Sequence, residues 1–340
     1  MSWKSIGSKL LLGLVCVSLV ATLAGCGGTT AKYPEKPMTL VLGWAAGGMT
    51  DRVMRFIGPI AEKELGQPFV ITNMPGATSA IAMQHVFSQK PDGYTILGGS
   101  ENPALFQVLD VSPRNYDEYD PIMLLAMSIP CIVVEANAPW KDIKEFIAAA
   151  KAKPGGIKLG NTGIGGQPHV TGSMMKAGLG VEFAMVPYDG EGPTVTATIG
   201  KHVDFTIAGA TAAVENMRAG KIRILATFTN EKVPLLPGVP ALGEEFPEMK
   251  KYLPWGAWYG VFVKKGTPQN VKDRLTAAFK KAIEDPKWKE FTTQMVANPL
   301  SLSGDDAVKF IKKWQSVTTW TLHEAGAAKK SPADFNIPKP

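Results

Sequence analysis

Short apolar runs, glycine-bearing loops and apolar stripes of helical period follow one another along the chain, predicting a succession of strand, loop and helix. In the first such unit, residues 38–42 form a continuous apolar run of the kind that fills a parallel sheet, and the small residues 43–48 break it. Thr50 can cap the helix that follows, Asp51 suits the positive end of its dipole, and Val53, Ile57 and Ile60 recur at helical spacing. Pro59 is expected to kink this helix or to split it near Gly58.

The same alternation continues downstream. A strand over 69–72 meets the turn chemistry of Asn73-Met74-Pro75-Gly76, and a helix through Ile81, His85 and Val86 follows. A strand over 94–97 runs into Gly98-Gly99-Ser100-Glu101-Asn102. Residues 129–135 read as a strand, and Asp142 caps a helix with Ile143, Phe146, Ile147 and Ala150 on one face. A strand over 157–159 enters the richest glycine loop, 160–169, ahead of a helix over 170–179. A strand ending near Pro187 leads through Tyr188-Asp189-Gly190-Glu191-Gly192 into a helix through Val195 and Ile199, and 203–208 and 222–226 are further strands. Trp255, Trp258 and Tyr259, read as hinge or core packing, precede a strand over 261–263. Helices from Pro268, over 286–296 and over 305–322 complete the pattern, and the polar tail from Ala325 is expected to pack loosely.

Where a strand passes through a glycine loop into a helix, the first helical N–H groups lack partners, and glycines allow a ligand to approach the backbone. Such a junction suits an anion. Gly47, Gly48, Met49, Thr50 and Asp51 form the first junction; Thr162, Gly163, Gly165, Gly166, Gln167 and His169 form a second about 115 residues later. Thr162 and Gln167 add side-chain donors, and His169 either supports its loop or donates to an anion. Ser100 and Asn102 belong to a third polar loop at the carboxyl end of a strand, the edge where open α/β sheets bind ligands. Asp189 and Asp204 either face a donor on the ligand or serve the fold, Asp189 as a helix cap and Asp204 by holding backbone N–H groups.

Composition and termini narrow the class. Lys4 and Lys9, an apolar run over 10–23 and Leu23-Ala24-Gly25-Cys26 make a secretory signal over 1–25, with Cys26 placed as in a bacterial lipobox for acylation. A membrane-spanning helix needs about 20 apolar residues, more than this run supplies. A lipidated tether over 26–33 is therefore expected, holding the protein on the periplasmic or extracellular face of the cell envelope. With Cys16 in the signal and Cys26 acylated, only Cys131 remains, a buried small hydrophobe rather than a nucleophile. The net charge of +6 falls to +4 once the two signal lysines are gone, a mild balance that points away from nucleic acid and suits anionic ligands. The roughly 310 remaining residues exceed one comfortable core, predicting two lobes. No G-x-S-x-G elbow, H-E-x-x-H, phosphate loop or C-x-x-C occurs, and Pro168 stands where a dinucleotide fingerprint needs its third glycine. No enzyme, cofactor or metal site is expected.

Tyr33-Pro34-x-Lys36-Pro37, Ala45-Ala46-Gly47-Gly48-x-Thr50-Asp51, Leu65-Gly66-Gln67, Asn73-x-Pro75-Gly76, Pro91-Asp92-Gly93-Tyr94-Thr95 and Val186-Pro187-Tyr188 occur in that order. The series resembles the substrate-binding proteins of tripartite tricarboxylate transporters, the Bug receptor family. That resemblance implies an α/β Venus flytrap of the periplasmic-binding-protein type, each lobe a sheet flanked by helices, delivering a carboxylate to a membrane permease with a large and a small subunit. It also implies that the ligand's carboxylates are held by the loops 47–51 and 162–169, largely through backbone N–H groups and ordered water. Departures fall on the expected pocket: Gly43-Trp44 where a proline commonly precedes an aromatic residue, Thr78 and Ser79 in place of glycines, Gly166 in place of a serine, and Asp189 in place of a base. They make Trp44 and Thr78 candidate ligand residues too. Asp189, if it faces the cleft, favours a ligand with an amino group or disfavours a tricarboxylate. The expectation is a monomeric, lipid-anchored receptor for a mono- or dicarboxylate, with a membrane-sensor role as the alternative. Lobe 1 is expected over 34–131 and 261–340 and lobe 2 over 132–260, with crossings near Ile132 and Gly260.

Overall fold

Every predicted strand–loop–helix unit forms, and the loops through Gly47, Asn102, Gly166 and Gly190 meet at one cleft. A computed structural model describes residues 33–188 and 190–340; the signal segment, Cys26 and Asp189 lie outside the described residues. In chain order come β1 (Met38–Leu42), α1 (Met49–Leu65), β2 (Phe69–Asn73), α2 (Ala80–Ser88), β3 (Thr95–Ser100) and β4 (Tyr119–Met127). There follow β5 (Pro130–Glu135), α3 (Ile143–Ala152), β6 (Lys158–Asn161), α4 (Gln167–Leu179), β7 (Ala184–Pro187), α5 (Glu191–Ile199), β8 (Phe205–Gly209), α6 (Ala210–Arg218) and β9 (Ile222–Thr227). The chain ends with β10 (Trp258–Lys264), α7 (Gln269–Glu284), α8 (Pro286–Gln294), β11 (Asn298–Leu302) and α9 (Gly304–Glu324). Strands β11-β4-β10-β3-β1-β2 make one mixed sheet and β7-β6-β8-β5-β9 a second, with helices flanking both. The result is a two-lobed α/β fold within a single compact unit, Lys36–Pro340.

The apolar runs are the cores of these sheets. Met38, Leu40, Val41 and Leu42 are fully buried in β1, which pairs in parallel with β2 from Met38↔Phe69 and with β3 from Thr39↔Thr95. The helical stripe predicted after Pro268 is buried through Val271, Leu275, Ala278 and Phe279, and α7 packs on α1. Cys131 is buried between β8 and β9, its thiol raised by burial and inert, as a small hydrophobe would be.

Four features differ from the sequence-based expectation. Helix α1 is capped by Gly48 in extended backbone rather than by Thr50, which lies inside its first turn, and α4 starts at Gln167 rather than at 170. Helix α1 runs unbroken through Pro59. Pro59 lies on the exposed side of the helix together with Arg55, whose carbonyl loses its intrahelical partner there, and Gly58 has no Cβ to meet the proline ring. Strands β4 and β11 lie outside the predicted strands: Asp120-Pro121 interrupts the apolar run of β4, and a central strand covered on both faces shows no alternation. The tail is anchored rather than loose. Trp320 Nε1 donates to the Ile337 carbonyl at 3.1 Å, Ser316 to that of Pro338 at 2.6 Å, and Lys330 pairs with Asp110 at 2.6 Å.

The chain crosses between sheets twice, and the crossings are bonded together. The first is Ser128 and Ile129; Cys131 already pairs with Ala208 in the second sheet, while Trp258–Gly260 pair with the first. Ser128 N–H donates to the Ala257 carbonyl at 2.8 Å, Phe228 N–H to Pro130 at 2.9 Å, and Trp314 Nε1 to Gly256 at 3.1 Å. A Cβ on Gly256 would stand 2.1 Å from the Ser128 carbonyl oxygen, a backbone atom that cannot swing aside. Replacing Gly256 with Ala is expected to destabilise the fold by about 1–3 kcal/mol, measured as a lower denaturation midpoint in urea with an unchanged slope.

Candidate functional site

Helices α1, α4 and α5 begin at Gly48, Gly166 and Gly190, and none of these N-caps has a side-chain hydrogen bond to its helix. Glycine at the N-cap leaves first-turn N–H groups open and brings no side chain in front of them. Gly166 is also required sterically, since a Cβ there would meet Thr162 Oγ1 at 2.3 Å. All three helix starts open on one cavity of about 550 Å³ at the carboxyl ends of β1, β3, β6 and β8, with Tyr259 of β10 at its base. Positive dipole ends and free N–H groups converging on one cavity suit an anion.

Of the residues anticipated from sequence, the cavity brings together Trp44, Gly47, Gly48, Met49, Thr50, Ser100, Asn102, Thr162, Gly166 and Gln167. Several form the wall's own bonding. Trp44 Nε1 donates to Ser100 Oγ at 2.9 Å, Ser100 Oγ donates to Asn102 Oδ1 at 2.9 Å, and Asn102 Nδ2 reaches the Gly165 carbonyl of the other lobe at 2.6 Å. Ser128 Oγ, at the crossing, donates to Gln167 Oε1 at 3.0 Å.

Other anticipated residues stand outside the cavity wall. Asp51 turns back into its own lobe, accepting from Gly47 N–H at 3.0 Å, Arg55 Nε at 2.8 Å and Asn73 Nδ2 at 3.0 Å. Burial opposes ionisation of Asp51, but these hydrogen bonds and the Arg55 charge outweigh it and hold the carboxyl below its usual range. It is the brace that shapes the first loop. His169 accepts from Gly165 N–H at 3.3 Å through Nδ1, and burial lowers its pKa, so a neutral ring supports the second loop. Gly163 and Gly165 form that loop's turns at φ +102° and +80°. Thr78 sits on the rim and donates to the Ile164 carbonyl at 3.3 Å across the lobes. Exposed Asp204 accepts from Lys158 N–H at 2.7 Å, at the amino ends of β8 and β6 and away from the cavity.

Sequence reasoning passed over the charged part of the wall. Glu101, 3% exposed, and half-buried Glu191 both line the cavity, with Tyr259 between their fields. Burial pushes the Glu101 carboxyl up to about 8, against bonds from its own N–H and from Asn102. Burial also raises Glu191, opposed by the Gly209 N–H, 2.8 Å from Oε2, and by the charge of Arg52. Their position within the polar loops after β3 and before α5 was the available signal; their inward direction is set by the sheets. No lysine, arginine or histidine lines the cavity among the described residues. Because Glu101 keeps its proton in the fold between pH 4.5 and about 8 while an unfolded chain has released it, stability falls as pH rises through that window. The melting temperature of the ligand-free protein should therefore decline more steeply from pH 5 to 8 than that of the Glu101→Gln variant, followed by circular dichroism; parallel curves would refute the assignment.

The model of the tripartite tricarboxylate transporter family receptor matches residues 53–321. The periplasmic binding protein BugD is similar in structure with a TM-score of 0.80 and 29% identity, covering 88% of this chain and 100% of that one. Rpa4515 of R. palustris, solved with adipate, has a TM-score of 0.80 and 25% identity over 87% of this chain and 99% of its own. MatC of Rhodopseudomonas palustris, solved with malate, has a TM-score of 0.75 and 26% identity over 86% of this chain and 100% of its own. With the family model spanning most of the chain and these folds superposing along it, the protein belongs to the tripartite tricarboxylate transporter receptor family, the solute-binding proteins of Bug type.

Proposed function

We propose that this protein captures a small carboxylate in the cleft between its lobes, on the outer side of the cytoplasmic membrane, and delivers it to a membrane permease with a large and a small subunit. The observation that carries this reading is the convergence of three uncapped helix N-termini on one cavity. Backbone N–H groups near Gly48, Gly166 and Gly190 hold the carboxylate, and Thr50, Thr162 and Gln167 add side-chain donors. Neutral donors suffice, since dipole ends and N–H groups in a shielded cleft offset one carboxylate without an arginine. The adipate and malate in two similar proteins support the ligand class.

In this reading the six-stranded sheet and its helices are lobe 1, the five-stranded sheet is lobe 2, and the hinge runs through Ser128 and the segment before Trp258. Binding bridges the lobes and favours the closed population, the form a permease would select. Secretion over residues 1–25 and acylation of Cys26 tether a monomer to the envelope, on the strength of Leu23-Ala24-Gly25-Cys26.

Thermal unfolding of the full chain in detergent, against a panel of small carboxylates, tests the site. A ligand at 100 times its Kd should add about 2.7 kcal/mol and raise the melting temperature. Gly48 has an ordinary φ of −71°, and a Cβ there meets nothing closer than 3.4 Å, so Gly48→Val should fold normally and lose the shift. A full shift retained in Gly48→Val would move the ligand elsewhere.

A further inference from the structure

We infer that the carboxylate bound in this cleft also bears an ammonium group, held against Glu191 and Glu101, so that the ligand class is the amino acids and other zwitterions rather than plain dicarboxylates. The inference rests on the carboxylate-receptor reading above and specifies the other end of the ligand.

The argument starts from charge. The lining holds two carboxyl groups and, among the described residues, no basic side chain. A dicarboxylate would bring two negative charges against these two carboxyl groups, whereas three helix N-termini can settle only one end of it. A zwitterion matches both poles: its carboxylate meets the helix starts, and its ammonium meets the acids.

Each acid is built for the task in a different way. Glu191 is the first residue of α5, where the helix dipole favours its anion, and Arg52 of α1 acts in the same direction. Only its Oε2 is occupied, by Gly209 N–H at 2.8 Å, and Oε1 has no hydrogen bond among the described residues. Neither Glu191 nor Glu101 forms an ion pair with a Lys or Arg there, although the surface carries a dozen such pairs, Arg52 being engaged by Glu215 at 3.5 Å. Glu101 is walled by Asn102 on its own segment, Tyr116 from the segment before β4, and Tyr259 from β10; both phenols are held protonated by burial. A buried carboxyl among neutral groups has a large unmet gain available from a cation. Tyr259, two residues beyond Ala257 where the crossings are bonded, ties this acidic pole to the hinge.

Titration calorimetry on the full chain in detergent, with skeleton-matched pairs, reads the inference directly: glutarate against glutamate, and butyrate against 4-aminobutyrate. In at least one pair the amino member should bind about tenfold more tightly or better, the scale of one charge-assisted hydrogen bond. Binding should strengthen between pH 6 and 8, as Glu101 loses its proton to solvent and its carboxylate pairs with the ligand's ammonium. Glu191→Gln, whose amide oxygen can still accept from Gly209 N–H, should erase the amino preference and leave binding of the plain acid equal or stronger. Plain acids that bind as tightly as their amino partners, or binding that weakens with rising pH because neutral Glu101 donates to a carboxylate, would overturn the zwitterion and leave the carboxylate receptor standing. Binding of neither member of any pair, in a protein with a native melting transition, removes both. The wild-type pairs and their pH dependence decide the matter even where a variant folds poorly.

Discussion

The hydrogen bond from Ser128 N–H to the Ala257 carbonyl, at 2.8 Å, holds the two lobe crossings together. From it the cleft is assembled in two directions. Ser128 Oγ reaches Gln167 at the start of α4 in the second lobe, and Tyr259, two residues beyond Ala257, lies in β10 of the first. Ile129, next in sequence, accepts from Ala210 N–H at 2.8 Å, which positions Gly209 and, through Gly209, the carboxylate of Glu191. One short peptide therefore sets the angle between the sheets and the height of the cavity floor. Close backbone packing by Gly256 leaves it no slack.

The cleft combines two electrostatic strategies. Toward the glycine loops it offers only partial positive charge, spread over backbone N–H groups, which costs less to bury than a full charge. At its base it places full or potential negative charge, on Glu191 and Glu101, where burial magnifies every interaction. Asp51 stands apart from both. Its carboxylate is spent on Gly47, Arg55 and Asn73, and it acts through the shape of the loop rather than through its charge.

How much of this was legible follows from what a local pattern can carry. Strands β1 and β3 and helices α1, α4 and α7 were readable because apolar periodicity and glycine boundaries are local signals. The exact helix starts were not: Thr50 reads as a cap and 170 as a first helical residue, whereas Gly48 and Gly166 hold the caps and carry no side-chain signal. Pro59 misled because its cost depends on which side of the helix faces water, a tertiary fact. Strand β4 was hidden because burial on both faces erases alternation. In the site, Asp51, His169 and Asp204 were rightly polar and near loops, yet the residues they bond, Asn73, Gly165 and Lys158, are set by sheet register and loop turn. Glu101 and Glu191 were passed over for the converse reason: an acid in a polar loop reads as solvated, and only the meeting of β3, α5 and β10 turns both toward one cavity.

Backbone donors recognise carboxylates in general, so discrimination has to come from the walls, and here the walls also hold the lobes together. The relay from Trp44 through Ser100 and Asn102 ends on the Gly165 carbonyl of the opposite lobe, and Asn102 directly follows Glu101 in the chain. A ligand group that alters the charge of Glu101 thus acts on the amide that bridges the rims. Occupancy and rim contact share the same polar atoms, which gives the two-lobed fold a direct way to make closure depend on the chemistry of what has entered.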